Sequence, residues 1–219
     1  MPDNLAEALL SAASFGDAST QMRCMQAMSV LALQPTLHAA LAHPTGQLAA
    51  GADIITPVLM VLQHESTPED VFGVAVGLIA NLCYQNFLFQ ERVMKSAIPV
   101  VVMMHMYTQR AGARAEGACM MAILADNEEN RRHLAALCGH SGSDNFNMVE
   151  CLSEVLCSQN SITDTRGLDG MRSCQAASAS ALACLSRFGG MDRLVHVLKD
   201  GESDVQILAA SALAVIAQV

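Results

Sequence analysis

Between Thr67 and Tyr84 the apolar residues Val71, Val74, Ala75, Leu78, Ile79 and Leu82 fall at i, i+3, i+4, i+7, i+8 and i+11, one broad stripe along a predicted α-helix. Thr67 is placed to cap its start, with Pro68 at the first helical position and Asp70 in the first turn, where a carboxylate meets the positive end of the helix dipole. The same spacing returns at Val205, Leu208, Ala209, Ala212, Leu213 and Ile216, behind a Ser203–Gln206 capping box. A unit that occurs twice raises the question of further copies.

With Leu82 and Ile216 as anchors, the same small-small-apolar ending recurs at Leu31, Leu124 and Leu185, so the chain divides into about five units separated by 51, 42, 61 and 31 residues. The 42-residue interval is that of a helical repeat; the others require insertions or a deletion. A second landmark agrees: Pro57 stands 25 residues before Leu82 and Pro99 stands 25 before Leu124, each opening a short apolar helix. The irregular intervals have visible causes. His43-Pro44-Thr45-Gly46 interrupts the first unit, and polar loops are expected at about 139–147 and 158–170. In the fourth unit Ser186-Arg187-Phe188-Gly189-Gly190 runs straight into the next helix, so a short first helix is expected to be missing. The whole of 1–219 reads as one repeat domain, its last helix either capping the array or continuing in a longer protein.

Composition sharpens this picture. Hydrophobic residues make up 52% and aromatics 4%, with 14 Met and no Trp. A core of Ala, Leu, Val and Met suits close helix-on-helix contact, so the expected class is all-α. Twelve Lys and Arg against 21 Asp and Glu leave a net charge of −9, which argues against a surface that tracks phosphates or anionic lipid. No apolar run is long enough to span a bilayer. The first residues carry acid where a secretory signal carries Lys or Arg. Eight Cys, among them Cys24, Cys83, Cys119 and Cys184 inside apolar helical patterns, read as reduced thiols. A cytoplasmic or nuclear setting is the expectation.

The run Val74-Ala75-Val76-Gly77-Leu78-Ile79-Ala80-Asn81-Leu82-Cys83, followed by Asn86, Phe89-Gln90-Glu91-Arg92-Val93-Met94 and Ala97-Ile98-Pro99-Val100-Val101-Val102, resembles an armadillo repeat. Weaker matches are Ala118–Leu134 and Phe188–Ile216; HEAT-like repeats are the near alternative. The resemblance implies a right-handed α-solenoid of about five degenerate repeats, two with polar insertions, whose long third helices line a concave partner-binding surface.

In the nuclear-import receptors of that family the third helices carry a ladder of Asn with Trp one turn earlier. Carried across by position, the Asn sites are Val30, Asn81, Ile123, Cys184 and Val215, and the Trp sites are Gln26, Gly77, Cys119, Ser180 and Ser211. Asn81 alone matches, so basic nuclear-localisation peptides are not the expected partners. The small and apolar residues in those places imply a shallow groove for an apolar or adaptable segment. Asn81 itself has two readings, a bond to local backbone or water and a partner contact. Arg110, Arg114, Arg131 and Arg132 form the basic concentration, read as a solvated helix face or as a dock for an acidic peptide.

Metal and catalytic readings find little support. His133, Cys138, His140, Cys151 and Cys157 lack the paired spacing of zinc ligands. Met103-Met104-His105-Met106 has copper-like donors, but on a helix these point four ways. Phosphate-cradling and nucleophile motifs are absent. No cofactor is expected. The expected role is a non-enzymatic scaffold or adaptor for a protein or peptide; the alternative, implied by short armadillo domains of similar kind, is a nucleotide-exchange factor acting on Hsp70.

Overall fold

The computed structural model describes residues 3–34, 36, 41, 54–64, 67–108, 111–141, 144–158 and 167–218, and within them it holds twelve α-helices and one β-hairpin. Two compact units divide the chain, 1–98 and 99–219. The expected interruption at 43–46 lies outside the described residues.

In the first unit, α1 (Asp3–Phe15) packs on α2 (Ala18–Leu31), and α2 packs on α4 (Glu69–Cys83); α3 (Ile55–Gln63) and α5 (Phe87–Lys95) complete the set. Asp17 caps α2 by accepting the Thr20 N–H at 2.7 Å. Helix α4 departs from the single stripe its spacing predicts. Phe72, Val76, Gly77, Ala80 and Cys83, off the stripe, are buried as fully as Ala75, Leu78, Ile79 and Leu82. A helix apolar on every side is a central helix, not a surface one.

Its start also differs. Pro68 is the capping residue and makes no side-chain cap, because the Thr67 hydroxyl is turned back to donate to Val61 O at 2.7 Å, satisfying a carbonyl at the end of α3. Asp70 serves the first turn by accepting the Val71 N–H. At the other end Gln85 takes a left-handed φ of 54°, after which Asn86 caps α5. The buried Gln90 amide donates to Cys83 O at 2.9 Å and ties α5 to the end of α4.

The second unit runs through α6 (Ile98–Tyr107, all but its first residue), α7 (Ala111–Asp126), α8 (Glu128–Ala136), β1 (Cys138–Ser141), β2 (Asp144–Asn147), α9 (Met148–Cys157), α10 (Gly167–Cys184), a 3-10 turn (Ser186–Phe188), α11 (Gly190–Asp200) and α12 (Ser203–Ile216). The joint seen at α4–α5 recurs at α7–α8. Asn127 caps α8, and the buried Asn130 amide donates to Leu124 O at 3.2 Å. Helix α10 is the hub, packed on α7, α9, α11 and α12. Both helices bury alanines, Ala179 and Ala181 on α10 and Ala113, Ala115 and Ala118 on α7, and side chains this short let two backbones approach closely.

Three expectations are corrected in this unit. The loop at 139–147 is an antiparallel hairpin with Cys138 opposite Asn147 and Gly139 opposite Phe146. A Cβ on Gly139 would stand 2.5 Å from the Phe146 ring, so the glycine admits a ring that stacks on Tyr107 at 3.9 Å. Of the loop at 158–170, residues 159–166 lie outside the described set, and Gly167 onward is already α10; the glycines there did not outweigh the helical spacing of Leu168, Met171 and Cys174. At α12 the capping residue is Glu202, with no side-chain cap, so the Ser203–Gln206 box is not formed: Ser203 is already the first helical residue. The missing first helix of the fourth unit is replaced by the 3-10 turn and Gly189, whose φ is 98°.

Candidate functional site

On α2, Gln26 and Val30 are exposed, and Val30 keeps 66% of its surface in solvent. On α4, Gly77 is buried and offers no surface, the opposite of what its ladder position implies; the reason is the all-round burial of that helix. Asn81 is half-buried, and its amide donates to Ser29 O at 3.3 Å and Ser29 Oγ at 3.2 Å. The acceptors are 52 residues away on α2 rather than local backbone or water, so the Asn81 amide nitrogen holds α4 to α2.

On α7, Cys119 and Ile123 are half-buried. On α10 and α12, Ser180, Ser211 and Val215 are exposed and Cys184 is half-buried, and these four line one cavity of about 1420 Å³. Cys119 and Ile123 are not among its walls. The floor is Ala176, Ala179, Ser180, Ala183 and Cys184 from α10, with Leu208, Ser211, Ala212 and Val215 from α12. Burial lifts the Cys184 thiol above its ordinary pKa, with Arg131 pulling weakly the other way, so at neutral pH it is a small uncharged wall. The Ser211 hydroxyl donates to Ile207 O within its own helix.

The charges stand where α7, α8 and the 3-10 turn meet the cavity: Asp126, Glu128, Glu129, Arg131, Arg132 and Arg187, with His133 and Phe188. Arg131 is fixed, its Nε donating to Ala125 O at 2.8 Å and its Nη2 to Asp126 O at 3.1 Å, which satisfies the open carbonyls of α7. The three described arginines of the basic concentration are used in different ways. Arg110 lies outside the described residues, Arg114 is buried, Arg131 is a helix cap, and Arg132 is exposed at the cavity. Arg187 and Phe188 were missed by sequence reasoning; an arginine and an aromatic just before Gly189-Gly190 were the available signal. Among the described residues no cluster of three His, Cys, Asp or Glu could hold a metal ion. Met103 and Met106 are core, Met104 exposed and His105 half-buried.

A smaller cavity of about 430 Å³ lies between α9 and α11, with the Glu150–Arg193 ion pair at 3.3 Å in its wall. No described helix is long and apolar enough to cross a membrane.

Solved structures with the same arrangement of helices decide the fold. A crystal structure of an engineered protein superposes with a TM-score of 0.69 at 20% identity, over 95% of this chain and 79% of that one. Computationally designed armadillo repeat proteins for modular peptide recognition give 0.67 at 17% identity, over 96% and 81%. The protein has an armadillo-type repeat fold. A designed armadillo repeat protein in complex with the peptide (KR)4 also matches, at a TM-score of 0.60 and 16% identity, over 96% and 80%. The two armadillo repeat neighbours are designed proteins. No family model and no curated protein matches the chain. The cavity lies where α10 and α12 pack together.

Proposed function

We propose that this protein is a non-enzymatic scaffold that holds a segment of a partner protein in the α10–α12 groove. The observation that carries the reading is the groove itself. It has an uncharged floor of small side chains that leaves a partner's backbone and side chains room to lie against two helices, with charged groups at one side to fix orientation. Support comes from designed armadillo neighbours made for peptide recognition.

The ligand differs from that of the (KR)4-binding neighbour. The chain has no Trp to flank Lys or Arg stems, and the groove wall sets three arginines, Arg131, Arg132 and Arg187, beside three carboxylates, Asp126, Glu128 and Glu129. An uncharged or mixed-charge segment suits it better than a basic one. The test is affinity purification from the native cells with the wild type and with a Ser180→Arg/Ser211→Arg variant shown to be folded by circular dichroism. The expected result is a protein recovered by the wild type and depleted at least about tenfold by the variant, about 1.4 kcal/mol of lost affinity. Equal recovery by both overturns the proposal.

A further inference from the structure

Among the described residues of the second unit Arg114 is the buried cation, 6% exposed. Its Nε donates to Met106 O at 3.1 Å and its Nη1 donates to Ser158 Oγ at 2.9 Å, both neutral acceptors. Around it lie Cys174, whose thiol donates to Arg114 O, and Cys151. Among the described residues no carboxylate pairs with it; Glu154, one turn before Ser158, is exposed and makes no ion pair. A guanidinium taken out of water and given only neutral partners lacks the counter-charge that such burial ordinarily requires.

Ser158 is placed to supply one. It ends α9 with an extended backbone, φ −66° and ψ 112°, and is half-exposed. Its carbonyl is held by the Gln175 amide at 3.3 Å, and the same amide holds Leu156 O at 3.1 Å. The hydroxyl therefore sits at a fixed point between a buried guanidinium and solvent.

We infer that Ser158 is a phosphorylation site and that Arg114 is its built-in phosphate receptor. In the step, a protein kinase supplies ATP. Ser158 Oγ attacks the γ-phosphorus, the new O–P bond forms, and the bond from that phosphorus to the β,γ-bridging oxygen breaks. ADP leaves with the electron pair, and the hydroxyl proton passes to the kinase's base. The product places a group of charge about −1.5 to −2 with three strong acceptors against Arg114, replacing a bond from the guanidinium to a neutral hydroxyl by bonds between opposite charges. Gln175 is followed directly by Ala176 of the groove floor, so the phosphate would brace the helix that carries the groove.

Two measurements test this. The first is fragmentation mass spectrometry of the protein from its native cells, prepared with phosphatase inhibitors. The tryptic fragment 133–166 also contains Ser141, Ser143, Ser153, Ser161, Thr163 and Thr165; phosphate on Ser158 is expected, and none there overturns the inference. The second uses the full chain with phosphoserine encoded at 158. By phosphorus NMR its second pKa, ordinarily about 6, is expected to fall by about one unit beside the guanidinium. It should return to about 6 in Arg114→Met and lie between in Arg114→Lys, which keeps charge without the fork and guards against a misfolded Met variant. A pKa of about 6 in the wild type, or one indifferent to both substitutions, overturns it.

Discussion

Helices α4 and α10 carry residues that the sequence spacing aligns, Gly77 with Ser180 and Asn81 with Cys184. The two are used in opposite ways. Helix α4 is enclosed on nearly every side, and its Asn81 amide donates to Ser29. Helix α10 is buried on the side that carries Cys174, Ser178 and Leu182, and open on the side that carries Ala176 and Ser180. A repeat position thus does not by itself assign a role. What decides is whether neighbouring side chains leave room above it, and whether its polar group already has a partner within the chain.

The largest effect that tests this difference is a charge placed at the enclosed position. Gly77→Arg puts a guanidinium where no solvent reaches, and unfolding of the first unit is expected, at a cost of at least about 4 kcal/mol. Urea denaturation measures it. A loss under about 1 kcal/mol, within the range of surface substitutions, would mean that the position is open after all.

The ends of the two helices provide the next test. Helix α4 passes into α5 through Asn86 and the Gln90–Cys83 bond, whereas α10 passes through the 3-10 turn and Gly189-Gly190 into α11. A Cβ on Gly190 would meet Leu182 O at 2.1 Å and Leu185 O at 2.9 Å. These are backbone atoms that cannot swing aside, so Gly190→Ala should cost about 3 kcal/mol, the upper end for overpacking. Gly189→Ala separates strain from space: nothing lies within 4 Å, but φ is 98°, and about 1–2 kcal/mol is expected from backbone handedness alone. Equal losses at the two glycines would show that the Leu182 contact is not what fixes the joint.

These particulars also show how far the chain could be read unaided. The helices Ile55–Gln63, Glu69–Cys83, Ile98–Tyr107 and Ser203–Ile216 and the short turn before α11 follow from spacing and from Pro and Gly, which act locally. Thr67 was misread because a side chain can serve either of two helices, and only the packing of α3 on α4 turns it toward Val61 O. The hairpin was hidden because it depends on Phe146 meeting Tyr107, 39 residues away. Of the ladder, Ser180, Cys184, Ser211 and Val215 fall together in the groove. Arg131, Arg187 and Phe188 come from other segments, and no period in the sequence links them to it.

Asn81→Ala probes a smaller difference. It removes the Ser29 bonds at a half-buried site, and about 1 kcal/mol is expected, the usual net worth of such hydrogen bonds. Cys184→Ala, its counterpart on α10, should cost less, because no hydrogen bond holds that half-buried thiol among the described residues. A larger loss at Cys184 than at Asn81, read from urea midpoints at unchanged m, would reverse the ranking of the two helices.

The smallest expected change is the most informative about function. Ser180→Arg stands at the position equivalent to Gly77, but on an exposed helical face, where Arg has the better helix propensity and its charged head can remain in water. Stability should move by no more than about 0.5 kcal/mol. The long side chain would nonetheless lie across a floor made mostly of Ala, Ser and Cys, with Leu208 and Val215, where a partner's backbone is proposed to rest. Unfolding midpoint and partner recovery should therefore separate, the first unchanged and the second lost. If instead both fall together, the open face of α10 is packed in solution, and the contrast with α4 disappears.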